Sequence, residues 1–220
     1  MEAWATDCLY AGLEALGITT DTGKIALLQR YLVLIERWNR VYNLTSIEGG
    51  VGPVTHHLLD SLATYDFIQG KTILDVGSGA GFPGIPLAIY QPERLFTLLD
   101  ARTKRVRFLR QCILDLNLKN VTPLQARIER YTPERGFDTV ISRAFGTLAD
   151  LLVSSRTALA PGGHVLAMKG RYPADELNNL PPGAQINAVH SLHVPGLNAE
   201  RHLIDLGWKS NGNGTNQGNS

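Results

Sequence analysis

The residues best placed by type and spacing to do chemistry lie in one stretch, Ile73-Leu74-Asp75-Val76-Gly77-Ser78-Gly79-Ala80-Gly81-Phe82-Pro83-Gly84. It reads as an apolar strand, a glycine loop and the start of a helix. Glycine is needed where a backbone takes positive φ or must approach a ligand with no Cβ in the way. The next apolar run, Leu95 to Leu99, ends in Asp100, 23 residues after Gly77. That is close to the ~20-residue offset at which a carboxylate meets ribose hydroxyls. Two features therefore point to a cofactor with a nucleoside half.

The loop can be read in two ways. Gly79 to Gly84 satisfies the dinucleotide pattern G-x-G-x-x-G, but a pyrophosphate needs free N–H groups at the helix N-terminus, and Pro83 and Pro86 each remove one. Asp75 adds a negative charge that repels a pyrophosphate and favours a cationic ligand. The form D-x-G-x-G-x-G, followed by an acidic residue at the end of the next strand, resembles the class I methyltransferase pattern. The cofactor of that class, S-adenosylmethionine, carries a sulfonium and an ammonium. A nicotinamide-dependent oxidoreductase is an alternative that would need a hydride site, and no Tyr-x-x-x-Lys or His–carboxylate arrangement is evident. A non-catalytic RNA-binding assembly factor is another.

The elements that must position these residues follow from periodicity. Asp21 or Thr22 can cap a helix over about Lys24 to Val41, where Leu28, Tyr31, Leu32, Ile35, Trp38 and Tyr42 recur at helical spacing. Further helices are predicted over Glu2 to Leu16, stopped by Gly17, and over Val54 to Tyr65. From Lys71 onward, short apolar runs alternate with helical segments. Strands are predicted over Thr72 to Val76, Leu95 to Leu99, Val121 to Leu124, Thr139 to Ser142 and Val165 to Met168, and helices over Gly84 to Tyr90, Lys104 to Leu116 and Thr147 to Leu159. That alternation implies a Rossmann-like α/β fold with a mostly parallel sheet. Ile186 to Leu192 and Arg201 to Leu206, joined by Val194-Pro195-Gly196-Leu197-Asn198, should add an antiparallel edge. Residues 1–66 are expected to form a helical cap packed on the core, 67–209 the α/β domain, and 210–220 a disordered tail.

Composition excludes several classes. The chain has 220 residues with 21 Lys and Arg against 20 Asp and Glu, and 44% are hydrophobic. With a pI near 7.8, any nucleic-acid surface must be a local patch rather than bulk charge. Cys8 and Cys112 are far apart, which fits neither a disulfide framework nor a zinc site and suits a reducing, cytoplasmic setting. The N-terminus lacks the signature of a signal peptide, and no apolar run approaches the ~20 residues of a membrane span. His56 and His57 diverge as neighbours on a helix, so no metal is expected.

The end of the fourth strand separates methyltransferase subclasses. Phe137 to Phe145 lacks the Asp/Asn-Pro-Pro-aromatic sequence of exocyclic-amine enzymes, and Cys112 sits on a core stripe rather than where a cytosine-directed nucleophile would stand. From about Leu28 to Leu206 the chain resembles the 16S ribosomal RNA guanine-N7 methyltransferases, also called methyltransferase G or glucose-inhibited division protein B. The marks are Trp38 to Thr45, His57-Leu58-Leu59-Asp60-Ser61, Asp75 to Pro86, Lys104 to Leu109, Ile141 to Phe145, Met168-Lys169-Gly170 and Glu200-Arg201-His202-Leu203. The tail Asn211 to Ser220 is longer than the family leads one to expect.

The resemblance implies S-adenosylmethionine contacts at Gly77, Phe82, Ile128, Glu129 and Arg143, to which the loop reading adds Asp75, Gly79, Gly81 and Asp100. It implies 16S rRNA or the small ribosomal subunit as partner; a monomer is expected, without the resemblance deciding it. Guanine N7 has an in-plane lone pair and no proton, so attack on a sulfonium methyl needs positioning rather than a general base. Arg143, at the carboxyl end of a strand, is the leading candidate to orient base or cofactor, and thus the expected catalytic residue. Lys169 and Arg171 are the expected RNA contacts, with Arg201, His57 and Asn43 as further substrate candidates. For His57, Asp60 and Ser61, hydrogen bonding between the N-terminal helices and the core is the simpler reading, and Asn43 also suits a helix cap. The arginines of the helices around Lys104 and Arg37 fit solvated faces as well as phosphate contacts.

Overall fold

Seven strands make one sheet in a computed structural model that describes residues 3–44 and 50–209. They are β1 (Thr72–Val76), β2 (Leu95–Asp100), β3 (Val121–Gln125), β4 (Phe137–Ser142), β5 (Leu159–Lys169), β6 (Ala184–Ser191) and β7 (His202–Trp208). Their order is β3-β2-β1-β4-β5-β7-β6. Pairing is parallel from β3 through β5 and antiparallel at β5–β7 and β7–β6. The mostly parallel sheet with an antiparallel edge is the architecture anticipated, although the last strand in sequence lies inside the edge rather than on it.

β1 is buried on both faces, as expected of an apolar run in a covered parallel sheet. Alternation sends Ile73 into a cluster with Leu28, Tyr31, Leu58, Phe96 and Phe108, and sends Leu74 and Val76 into a second with Val140, Leu148, Leu152 and Val165. The first cluster includes Leu9 and Leu13 of α1 (Ala3–Ala15) and the buried face of α2 (Thr22–Tyr42), so the N-terminal helices share a core with the sheet. Asp21 caps α2 by accepting from the Lys24 N–H at 2.8 Å. Asn43 closes it in the left-handed region, φ 48°.

α3 (Asp60–Leu62), α4 (Gly84–Tyr90), α5 (Thr103–Leu116), α6 (Leu148–Ser154) and α7 (Ala174–Asn178) complete the helices. Three predictions need correction. The helix expected over Val54 to Tyr65 is a π-helical turn, Val54–Leu59, leading into α3, with a separate 3₁₀ turn at Tyr65–Phe67. The helix expected over Thr147 to Leu159 stops at Ser154, because Ser154-Ser155-Arg156-Thr157 holds a helix weakly and Leu159 is drawn into pairing with Phe137. Tyr42, placed on the apolar stripe, is 41% exposed beneath Lys104. Thr45 and the tail 210–220 lie outside the described residues. Among the described residues no helix is long and apolar enough to cross a membrane, and no three His, Cys, Asp or Glu are grouped to hold a metal.

Candidate active site

The glycine loop leaves the carboxyl end of β1 and turns back over it. Gly77, Gly79 and Gly81 have φ of +71°, +61° and +96°, values an L side chain rarely adopts. The loop spends its N–H groups on the protein. Gly77 and Ser78 donate to the Leu99 carbonyl at 2.8 and 3.1 Å, Gly79 donates to Asp100 Oδ2 at 3.0 Å, and Gly81 and Phe82 donate to the Ser78 carbonyl at 2.7 and 3.1 Å. A pyrophosphate cradle needs such donors turned outward.

Asp75 lies beneath the loop, 1% exposed. Its Oδ2 accepts from the Gly84 N–H at 3.0 Å, its backbone carbonyl accepts from Ser78 Oγ at 2.9 Å, and Oδ1 is buried without a hydrogen-bond partner. Burial pushes its pKa up to about 7 against those hydrogen bonds. Gly84 must be glycine for space, since a Cβ would stand 2.2 Å from Leu98 Cδ2 and 2.7 Å from Asp75 Oδ2. An orphan carboxylate oxygen behind an open glycine loop suits a cationic ligand.

A cleft of about 200 Å³ opens over the carboxyl ends of β1 to β3, where α/β sheets bind ligands. Gly77, Asp100, Ile128 and Glu129 line it together, with Leu99, Ala126, Arg105 and Phe145. Beyond its chain neighbours, no heavy atom lies within 4 Å of where a Cβ at Gly77 would stand, so the backbone there is open to a bound molecule. Asp100 is 3% exposed and already accepts from the Gly79 N–H, the Arg102 N–H at 2.8 Å and Arg105 Nη1 at 3.2 Å. A carboxylate offers roughly four lone-pair sites, which leaves about one for a ribose hydroxyl. Sequence alone does not mark Phe145 and Arg105 as site residues. Phe145 was legible as the last residue of Ile141-Ser142-Arg143-Ala144-Phe145, and Arg105 only as one charge in a basic helix.

On the other flank of the loop a second group gathers around Phe82. Its ring stacks on His57 at 4.5 Å and 27°, packs against Tyr31 at 5.2 Å, and lies 4.9 Å beneath the Arg143 guanidinium. Arg143 Nη1 donates to the His56 carbonyl at 3.1 Å and lies 3.2 Å from His57 Nδ1 and 3.6 Å from Asp60 Oδ2. Arg201 Nε donates to Asp60 Oδ1 at 2.8 Å. Burial, reinforced by the Arg143 charge, lowers the His57 pKa to about 4, so the ring is neutral near pH 7. The Tyr31 hydroxyl donates to the Ala80 carbonyl and anchors the loop to α2.

The expected RNA contacts sit differently from one another. Lys169 Nζ is held by Glu176 at 2.9 and 2.8 Å and by the Gly146 carbonyl at 3.1 Å, and Glu176 also accepts the first N–H of α6 at 2.6 Å. Its charge is thereby neutralised within the protein. Arg171 is exposed in the loop after β5. Arg201 faces inward on Asp60, and Asn43 caps α2.

This geometry can be set beside known proteins. Residues 24–204 match the family described as rRNA small subunit methyltransferase G. A ribosomal RNA small subunit methyltransferase G of Methylococcus capsulatus is 50% identical over 198 residues, covering 90% of this chain and 96% of that protein. That of Nitrosococcus oceani is 45% identical, covering 94% and 96%. Among solved structures, TrmN from Thermus thermophilus aligns with a TM-score of 0.56 at 22% identity, covering 78% of this chain. This chain spans 53% of TrmN's length. The glycopeptide N-methyltransferase MtfA aligns at 0.58 and 14% identity, covering 70% of this chain and 96% of that one. The structures show a shared methyltransferase fold, and the match along nearly the whole chain shows that it belongs to the rRNA small subunit methyltransferase G family.

Proposed function

We propose that this enzyme transfers a methyl group from S-adenosylmethionine to N7 of a guanine in 16S ribosomal RNA. The observation that carries the reading is the cleft in which Gly77, Asp100, Ile128 and Glu129 come together beside the glycine loop, whose Phe82 carries the Arg143 guanidinium over its ring. In that cleft Asp100 and Glu129 are the carboxylates for a nucleoside, and Leu99, Ala126, Ile128 and Phe145 form apolar walls for a purine. Asp75, once ionised, supplies negative potential behind the loop. When bound, S-adenosylmethionine offers an electrophilic methyl on a sulfonium, and its positive charge passes to the guanine with the methyl group.

The protein's residues then have only to orient and to manage charge. His57 is neutral and held against Phe82, and N7 carries no proton to remove, so the site needs no general base. Arg143 is a fixed cation that can face guanine O6 or a carboxylate of the cofactor. Arg171 is the exposed cation best placed for backbone phosphate, while Lys169, tied to Glu176, serves the fold first. The spent N–H groups of the loop argue against the nicotinamide reading. The two free cysteines suit a reducing, cytoplasmic setting.

The test is to incubate the purified protein and S-adenosylmethionine with small ribosomal subunits lacking the modification, then map N7-methylguanine by aniline-dependent strand cleavage. One new cleavage in the 16S RNA is expected. Cofactor binding without any cleavage, on subunits and on naked RNA alike, would refute the substrate assignment and favour an assembly factor.

A further inference from the structure

One carboxylate stands between two guanidinium groups drawn from far apart in the chain. Asp60 is 3% exposed, at the junction of the π-turn and α3. Arg143 follows β4 and Arg201 precedes β7, and they reach different oxygens of the same group, at 3.6 Å to Oδ2 and 2.8 Å to Oδ1. Arg201 is committed to this inward arrangement, since its Nη1 also donates to the Glu200 carbonyl at 2.8 Å. The wide turn that presents Asp60 is itself fixed: the Asp60 N–H reaches both the His57 and Thr55 carbonyls, and Ser61 Oγ donates to the His57 carbonyl at 2.6 Å. That turn also supplies the remaining contacts of Arg143, at the His56 carbonyl and the His57 ring.

Burying a carboxylate is costly unless it is paired, and pairing it with two cations leaves one positive charge over on the cluster. If the group served only to fasten the N-terminal helices to the sheet, one arginine would suffice. The second is the one whose guanidinium lies over Phe82, at the edge of the cofactor loop.

We propose that Asp60, braced by Arg201, is a positioning residue for methyl transfer that sets the Arg143 guanidinium over Phe82. The inference rests on the reading above that Arg143 works in the transfer. It moves Arg201 from the RNA surface to the support of Arg143. It also makes the N-terminal helices part of the reacting geometry, because a displacement of about 1 Å in a positioning group can cost on the order of 100-fold in rate.

The experiment compares wild type with Asp60→Asn, Arg201→Gln and Arg201→Lys, each alone and combined with Arg143→Lys. It measures kcat, KM for the small subunit, thermal midpoint and the Nε–H resonance of Arg143. Asp60→Asn and Arg201→Gln are expected to lower kcat at least about 10-fold, with KM for the subunit nearly unchanged. Arg201→Lys should recover part of the loss, the Arg143 resonance should shift, and neither loss should appear on top of Arg143→Lys. Unchanged kcat per folded molecule would overturn the proposal. So would a rise in KM alone, which would return Arg201 to RNA contact, or an undiminished loss in the Arg143→Lys background. Should Asp60→Asn fail to fold, the Arg201 variants carry the same test. A wild type that methylates no ribosomal RNA refutes the substrate reading separately, and the Arg143 resonance then decides on Asp60.

Discussion

Asp75→Asn should gain stability relative to its parent as pH rises from 5 to 8, while binding its cofactor less tightly. The Asp75 pKa rises from 3.8 to about 7 because the carboxyl is buried with one oxygen unpartnered. The folded state therefore holds a proton that the unfolded state releases between about pH 4 and pH 7, and stability contributed by this group falls as pH rises through that window. Between pH 5 and pH 8 the fall amounts to roughly 3 kcal/mol at 1.36 kcal/mol per unit. His57 acts in the opposite sense over much of the same range. Its pKa falls from 6.5 to about 4, so its neutral form adds stability as pH rises from about 4 to about 6.5. The wild-type pH profile is thus partly cancelled, and the carboxyl shows only in the difference between variant and parent. Urea unfolding of both at half-unit steps from pH 5 to pH 8 isolates it. The new amide leaves donors unpartnered at a cost of about 1–3 kcal/mol, but that cost is the same at every pH. The stability difference should shift towards the variant by about 3 kcal/mol from pH 5 to pH 8, and a difference independent of pH refutes the reasoning. Calorimetric titration at pH 8 should show weaker S-adenosylmethionine binding by Asp75→Asn.

Arg143→Ala should lower methyl transfer about 100-fold with a small change in thermal midpoint, read by transfer of labelled methyl to small subunits. Gly84→Ala should destabilise by about 1–3 kcal/mol in urea, because its Cβ meets Leu98 and Asp75 rather than open space. Tyr31→Phe should lose about 1 kcal/mol and bind S-adenosylmethionine less tightly, since it frees the Ala80 carbonyl of the loop; calorimetry reports the second effect and unfolding the first.

The parts legible in sequence are those governed by neighbours in the chain. Asp75 to Gly84 announces strand, loop and helix because glycine and proline act locally, and the apolar runs of β1, β2 and β4 need no knowledge of their partners. The strand count and the antiparallel finish follow from the same texture. What sequence could not show depends on distant pairing. Leu159 joins a strand because Phe137 awaits it, and nothing in Ser154 to Thr157 reveals this. Arg201 and Asp60 are 141 residues apart, so each is an ordinary charge until the fold brings them to 2.8 Å. Lys169 reads as an RNA cation until Glu176 of a short, unanticipated helix claims it. The π-turn is invisible for a subtler reason: His57 and Asp60 fall one turn apart in α or π geometry, and only backbone pairing separates the two.

The position of β7 between β5 and β6 has a consequence for the order in which the molecule can be built. β6 is made before β7 yet has no other strand to join, and β5 offers its free edge until His202 to Trp208 arrives. During synthesis the parallel half can close around Ile73 and Val140 while two lines of unpaired backbone polar groups wait. A chain released before His202 would expose those edges and recruit strands from other molecules. A single seven-residue insertion at the end thus separates a finished enzyme from an aggregating intermediate.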